Sequence, residues 1–451
     1  MQHPFKKYFP LYKSNFLLAY PVVISQLGHM FTAVLDSVMV GHLGIVPLAA
    51  CALGNSVFAI CLVIGIGISQ GITPLVAQEN GKNNKKLCGQ YLEQGVFISL
   101  ITGIILFGLL LVIAQKISLL NQPIAVALAA KDFLILLAAS IIPLMIFQSF
   151  RQFAEGLGYT KQAMFISISG NLSNILFNFI FIYGWFGISP MGLVGAGLGT
   201  LLARMLMAIC MGFYVIKSSL FHPYLSNFKI HLPDWQKIKK ILQLGFPIAM
   251  QYFFEVGAFS GAAIMIGWIG AKELAAHQIA INLAALTYMG ASGIGVAATI
   301  KAGNALGKKD FAELKLSAIS SFHLVIIYMC ITATVFITCN RLLPYIYIKD
   351  QGVILIAGQL LIMAAFFQIS DGVQVVGAGI LRGLSDVKIP TIITLIAYWV
   401  IGLPLGYVLG FNYHMGPIGV WISLSLALTA AAIALFLRAM SRIKKISNSA
   451  Y

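Results

Sequence analysis

Twelve apolar stretches, each long enough to cross a bilayer, are separated by short polar or Gly/Pro breaks. They run over about 15–40, 46–78, 91–115, 132–150, 162–183, 191–216, 241–268, 275–301, 316–340, 354–376, 388–410 and 416–438. A spanning helix needs about 20 predominantly apolar residues. Inside a bilayer every backbone N–H and C=O must find its partner within the protein, which leaves helices and closed barrels. Continuous apolar runs of this length, without alternation, select the helix. Composition agrees: 59% of residues are hydrophobic and 9% charged, against about 25% charged in soluble domains. The second stretch is too long for one straight span, which predicts a kink or tilt around GIGISQG and Pro74.

A net charge of +16 could point to nucleic acid, but its distribution points elsewhere. With the N-terminus in the cytoplasm, and the terminal residues Lys301, Lys388 and Arg438 counted with the adjoining breaks, the cytoplasmic pieces hold 23 Lys and Arg and the opposite side holds 5, with Arg204 left inside a span. That bias is the positive-inside signature of an even number of spans with both termini cytoplasmic. The basic surplus is therefore a topology signal, and no nucleic-acid partner is expected. The N-terminal MQHPFKKYFPLYKS is basic and aromatic and leads into an apolar stretch too long for a signal peptide. Six scattered cysteines show no metal or CxxC spacing and read as small core hydrophobes.

The longest polar connection, residues 217–240, lies midway and leaves six spans on either side. This predicts an N-lobe over 1–220, a cytoplasmic linker over 221–240 and a C-lobe over 241–451. The halves also resemble each other. YPVVISQ at 20–26 pairs with FPIAMQY at 246–252, placing Pro21 opposite Pro247 at an offset of 226. QENGKNN at 78–84 pairs with NALGKKD at 304–310, and MGLVG at 191–195 with MGPIG at 415–419. Six spans per half give both halves the same orientation, a parallel repeat of the kind that builds secondary transporters with a substrate path between lobes.

Of the 13 acidic residues, only Asp36, Glu255 and Asp371 fall deep inside the apolar stretches, and the other ten, Glu93 and Asp132 included, lie in polar breaks or beside stretch ends. A carboxylate in a bilayer costs at least a few kcal/mol unless it faces a cavity, binds a cation or takes up a proton. Asn174 and Asn178 lie four apart on one helical face. With Asp36 and Thr200 they offer the oxygens that a monovalent cation or a proton relay would use. Glu255 and Asp371 lie on aromatic-rich spans near Tyr288, surroundings that suit a lipophilic organic cation. Helix–helix packing through hydrogen bonds is the competing reading for the amides, and aromatic packing the competing reading for Tyr288. Gln278 is a further polar residue on the Tyr288 span. Arg204 either pairs with an acid or snorkels to an interface, and a structural role is expected for it. Neither a Walker A sequence nor a His pair for a metal stands out, so ATP-driven transport and enzymatic chemistry are not expected.

AYPVVISQ with LDSVMVGHLG, GFPIAMQYFFEV, AAHQIAINL, FFQISDGVQVVGAGILRG and YWVIGLPLGYVLG together resemble the multidrug and toxic compound extrusion (MATE) family, NorM-type branch. The resemblance extends from about residue 15 to 438. It implies an all-α membrane protein of twelve helices in two six-helix lobes, exporting lipophilic organic cations in exchange for Na⁺ or H⁺. Carried over residue by residue, it implies that Glu255 and Asp371 form a cation-responsive pair, with Tyr288 and Gln278 near it. Asp36, Asn174, Asn178 and Thr200 would be the coupling site, and Asp350 a loop acid in contact with drug. Phe367, one turn before Asp371, departs from the tyrosine that NorM-type sequences can carry, which puts a C-lobe Na⁺ site in doubt. The expected setting is the bacterial inner membrane, with lipids around a monomer and no cofactor beyond the coupling ion. The alternatives are a lipid-linked precursor flippase, which would need a cationic cavity, and a passive channel, which would need no duplicated lobes with acids.

Overall fold

The computed structural model describes residues 8–120, 122–225 and 233–448, so the middle of the polar connection, residues 226–232, lies outside the described residues. Among the described residues, twelve helices are long and apolar enough to cross a membrane: α1 Phe9–Gly41, α2 Ile45–Gly81, α3 Lys85–Gln115, α4 Ile124–Gly156, α5 Thr160–Tyr183, α6 Gly192–Lys217, α7 Trp235–Ile269, α8 Ala271–Lys308, α9 Phe311–Thr338, α10 Gln351–Gly383, α11 Lys388–Asn412 and α12 Gly416–Asn448. Each matches one of the twelve apolar stretches, with 191–216 and 316–340 overhanging their helices by one and two residues. Several run beyond them by a turn or more, because the polar residues at their ends continue the helix rather than stop it. No strand occurs among the described residues.

The second span is interrupted where the Gly-rich sequence predicts. It consists of Ile45–Ser69 and Ile72–Gly81, joined at Gln70 and Gly71. Pro74 sits in the first turn of the second piece, where its missing N–H costs least. Its counterpart α8 has neither glycine nor proline at the equivalent positions, Ala297 and Ile300, and is unbroken.

The internal repeat is written into the backbone. Asn84 caps α3 by accepting from Leu87 N at 3.2 Å, and Asp310, 226 positions on, caps α9 by accepting from Glu313 N at 2.8 Å. The residues before these caps, Asn83 and Lys309, are both left-handed, at φ 57° and 59°. Gly158 and Ser385 form a second such pair, and Gly192 and Gly416 a third. Left-handed backbone is rare outside glycine, so its recurrence at matched positions ties the two turn sets to one template.

Residues 24–249 make up one compact unit, and residues up to Val23 together with those from Met250 onward make up the other. The divisions thus fall inside α1 and α7, not in the polar connection. In the second of these units, buried Asn15 of α1 donates to Ser320 Oγ at 2.9 Å and to Ser321 Oγ at 3.1 Å on α9. Gly293 of α8 lies against Ala19 and Val23 of α1, where a side chain would collide with the Ala19 carbonyl and Val23. The equivalent contact occurs in the first unit, where Gly67 of α2 lies against the backbone of Ala249. Both members of these contacts, 67 with 293 and 23 with 249, are 226 apart.

Three cysteines, Cys51, Cys61 and Cys88, are buried as expected of small hydrophobes. Cys210 and Cys330 are exposed, because their helices turn those positions outward.

Candidate functional site

Asp36, Asn174, Asn178 and Thr200 come together within the 24–249 unit. Asp36 Oδ1 accepts from Asn178 Nδ2 at 2.7 Å. The same amide nitrogen lies 3.4 Å from Asn174 Oδ1, and Asn174 Nδ2 donates to Thr200 Oγ1 at 3.2 Å. The chain ends on backbone, with the Thr200 hydroxyl donating to Ala196 O at 3.0 Å. The four-residue spacing of the two asparagines on α5 stacks their amides. Gly199 on α6 leaves the room that the Asn178 side chain occupies. Asn178 is fully buried, and its Oδ1 is an acceptor that nothing donates to. An unmet buried acceptor costs about 1–3 kcal/mol.

Arg204 lies one turn after Thr200, midway along α6. It does not snorkel: Nη1 donates to Ser140 Oγ at 2.6 Å, and the guanidinium lies 4.6 Å from the centre of the Phe58 ring. It lies within electrostatic reach of Asp36 but forms no ion pair with it.

The second cluster belongs to the other unit. A small pocket is lined by Glu255, Tyr252, Tyr288, Ser292, Gln374 and Arg382, among others. Asp371, buried one turn before Gln374 on α10, is close enough to Glu255 to feel its charge, as is Tyr288. Glu255 Oε1 faces Gln374 Nε2 at 3.4 Å, and Gln374 Oε1 accepts from Tyr398 Oη at 3.0 Å. The Arg382 guanidinium lies 4.9 Å from the Tyr252 ring centre and donates to Tyr252 Oη at 2.8 Å and to Gln251 Oε1 at 3.2 Å.

Three residues that the resemblance ties to the C-lobe cation site or the drug lie apart from this cluster. Gln278 donates to Asn282 Oδ1 at 3.1 Å on an exposed face of α8, ten residues or about 15 Å of helix before Tyr288. Phe367 is buried in an apolar cluster with its ring 5.6 Å from that of Trp421. Asp350 caps α10, accepting from Val353 N at 2.9 Å, about 31 Å of helix from Asp371. Conversely, Gln374, Tyr398, Tyr252 and Arg382 were not singled out from the sequence. Gln374 stands three residues after Asp371, a spacing that shares a helix face. Arg382 counts as a loop charge only if α10 stops early, and the helix continues to Gly383.

Other buried acids differ in kind. Glu79 pairs with Lys82 at 2.7 Å, Glu155 with Arg151 at 2.7 Å, and Asp386 with Arg438 at 2.9 Å and Arg442 at 3.0 Å. All three lie at or just beyond the ends of even-numbered spans. None of Asp36, Glu255 and Asp371 has a Lys or Arg in ion-pair contact among the described residues.

A sequence model of the MatE family matches residues 21–180 and again residues 247–408, once in each half. The chain belongs to the MatE family. Among its MatE relatives is the multidrug resistance protein MdtK of Photorhabdus laumondii subsp. laumondii, 35% identical over 441 residues, 96% of each chain. MdtK of Yersinia pseudotuberculosis serotype O:1b is likewise 35% identical, over 442 residues and 96% of each chain. The fold is similar to that of the eukaryotic MATE transporter AtDTX14, with a TM-score of 0.88 over 98% of this chain and all of that one at 18% identity. The two matched stretches begin 226 and end 228 positions apart, so the MatE repeat and the repeat read from the sequence are one. Its relatives are transporters, and the twelve spans make this MatE chain a multi-pass membrane protein.

Proposed function

We propose that this protein exports lipophilic organic cations across the bacterial inner membrane in exchange for Na⁺ or H⁺, with both termini in the cytoplasm. One observation carries the reading: two carboxylate clusters, one in each compact unit, lie inside apolar spans without a paired base. The paired acids at the span ends show that this chain supplies a base where a carboxylate is only structural. The unpaired ones have a counter-charge still to be delivered, and a transported cation delivers it. MdtK, named a multidrug resistance protein, fits the same reading.

The two clusters suit different cations. Around Asp36 the groups are amide and hydroxyl oxygens, with Asn178 Oδ1 accepting from no donor, a set matched to a hard monovalent ion. The same carboxylate can take a proton. Around Glu255 and Asp371 the groups are aromatic faces and long polar side chains, which suit a large, weakly hydrated organic cation. In the proposed cycle the organic cation enters while a carboxylate is free. Na⁺ or H⁺ arriving from outside then competes for negative charge and releases it. This gives the two ligands different affinities for the two states, which any ligand-driven shift requires. A lipid-linked precursor flippase would need a cationic cavity, whereas the one arginine lining this pocket shares it with Glu255.

Drug efflux from proteoliposomes under a Na⁺ gradient alone and an H⁺ gradient alone tests the reading. Acceleration by at least one gradient is expected, and a response to neither would overturn the antiport. Counterflow, which an exchanger shows and a channel does not, separates the remaining alternative.

A further inference from the structure

Among the described residues, π-helical backbone occurs only in α11, over Ile396–Gly402 and Val408–Asn412. A π-turn carries an extra residue, displaces the side chains around it, and recurs at functional sites because its poorer geometry must be compensated. Here the first π segment aims two consecutive residues at the surroundings of Glu255. Trp399 Nε1 donates to Phe254 O at 2.9 Å, on the residue before Glu255. Its ring lies on Gly257, where a Cβ would stand 3.0 Å from the ring edge. Tyr398 is fully buried and donates from Oη to Gln374 Oε1, which leaves the Gln374 amide nitrogen facing Glu255. Phe367 has no hydroxyl and is occupied with Trp421.

The chain of donors has a direction. A carboxylate only accepts, so Gln374 supports the ionised form of Glu255 only with its NH₂ turned toward it. With its NH₂ so turned, its carbonyl points away and needs a donor of its own. The Tyr398 hydroxyl supplies it. We infer that Tyr398 is a positioning residue for Glu255, holding the Gln374 amide in the one orientation that keeps the carboxylate ready for a cation. This rests on the reading that the protein binds organic cations. The other charged and titratable groups facing Glu255 are Asp371 and Arg382 from α10, Tyr288 from α8 and Tyr252 from its own helix.

The test is equilibrium binding of tetraphenylphosphonium to the detergent-purified full chain. Tyr398→Phe removes the hydroxyl and keeps the ring. The loss of one hydrogen bond predicts binding about fivefold weaker and a midpoint of the pH dependence of binding about half a unit higher. Phe259→Leu, which alters only the ring packed 6.1 Å from Tyr398, leaves that midpoint in place. In a Glu255→Gln background Tyr398→Phe changes binding by less than about twofold, because the group it positions is gone. Unchanged binding in Tyr398→Phe, or the same fivefold loss without Glu255, would overturn the inference while the export reading stands. No binding by the unmutated protein would overturn the export reading, and the inference with it. Should Tyr398→Phe not accumulate, Gln374→Met carries the same comparison, with the same expected loss and the same overturning result.

Discussion

The Asp36 cluster and the Glu255/Asp371 cluster occupy units built from one repeat, yet they share no residue. At the repeat offset Asp36 stands opposite Ala262, seven residues beyond Glu255. What the halves do share is scaffold: the helix caps at 84 and 310, the left-handed turns, and the glycine contacts at 67 and 293. Duplication therefore preserved what makes a six-span unit fold, while the buried acids differ between the copies. One copy carries oxygens around a single carboxylate, the other aromatics, an arginine and two carboxylates. In the proposed cycle that difference lets one cluster respond to a small ion while the other holds a large one.

The harshest test of that division is Asp36→Asn, which removes the only carboxylate of the first cluster. It should abolish drug resistance in cells while the protein still reaches the membrane, and undiminished resistance at matched expression would remove the first cluster from the coupling scheme. Next comes Glu255→Gln, expected to weaken organic-cation binding about tenfold with Na⁺ or H⁺ flux through the Asp36 cluster less affected. Equal loss of both activities would mean that the clusters do not divide the labour. Asn178→Leu takes away the donor 2.7 Å from Asp36, and its cost of about 1–3 kcal/mol should lower transport about tenfold without altering tetraphenylphosphonium binding. The scaffold half of the comparison is tested by melting temperatures in detergent. Gly67→Ala meets the fixed backbone of Ala249 and should cost about 1–3 kcal/mol. Gly293→Ala meets a methyl group of Val23, which can move, and backbone only at the Ala19 carbonyl, 2.9 Å away against 2.3 Å for the Ala249 backbone at Gly67, and should cost less. Smallest of all is Phe367→Tyr: its new hydroxyl enters an apolar cluster, so slightly lower stability and no gain in cation binding are expected.

Spans, their number and the repeat were legible because they rest on long-range averages, where twenty apolar residues outvote any single position. The Asp36 cluster was legible for a related reason. A carboxylate with amides at helical spacing is conspicuous against apolar sequence, and the structure joins all four residues. The second cluster was half legible. Glu255, Asp371 and Tyr288 stood out by type, but Tyr398 reaches Gln374 from a π-turn that no residue pattern announces. Gln278 shares a span with Tyr288, but about 15 Å of helix lies between them, and Phe367 turns to Trp421. Asp350 came from the resemblance alone, and its carboxylate caps a helix.

The placement of Asn15 has a consequence for how the molecule is made. Its partners, Ser320 and Ser321, are translated some 300 residues later, and a chain is synthesised at roughly 5–20 residues per second. The opening turns of the first helix thus wait tens of seconds, with a polar side chain unmet, before the segment that receives them emerges from the ribosome. A gene cut at the midpoint would yield two fragments, each lacking the helix end that the other encodes. Neither fragment should mature alone, and both should do so when produced together in one cell.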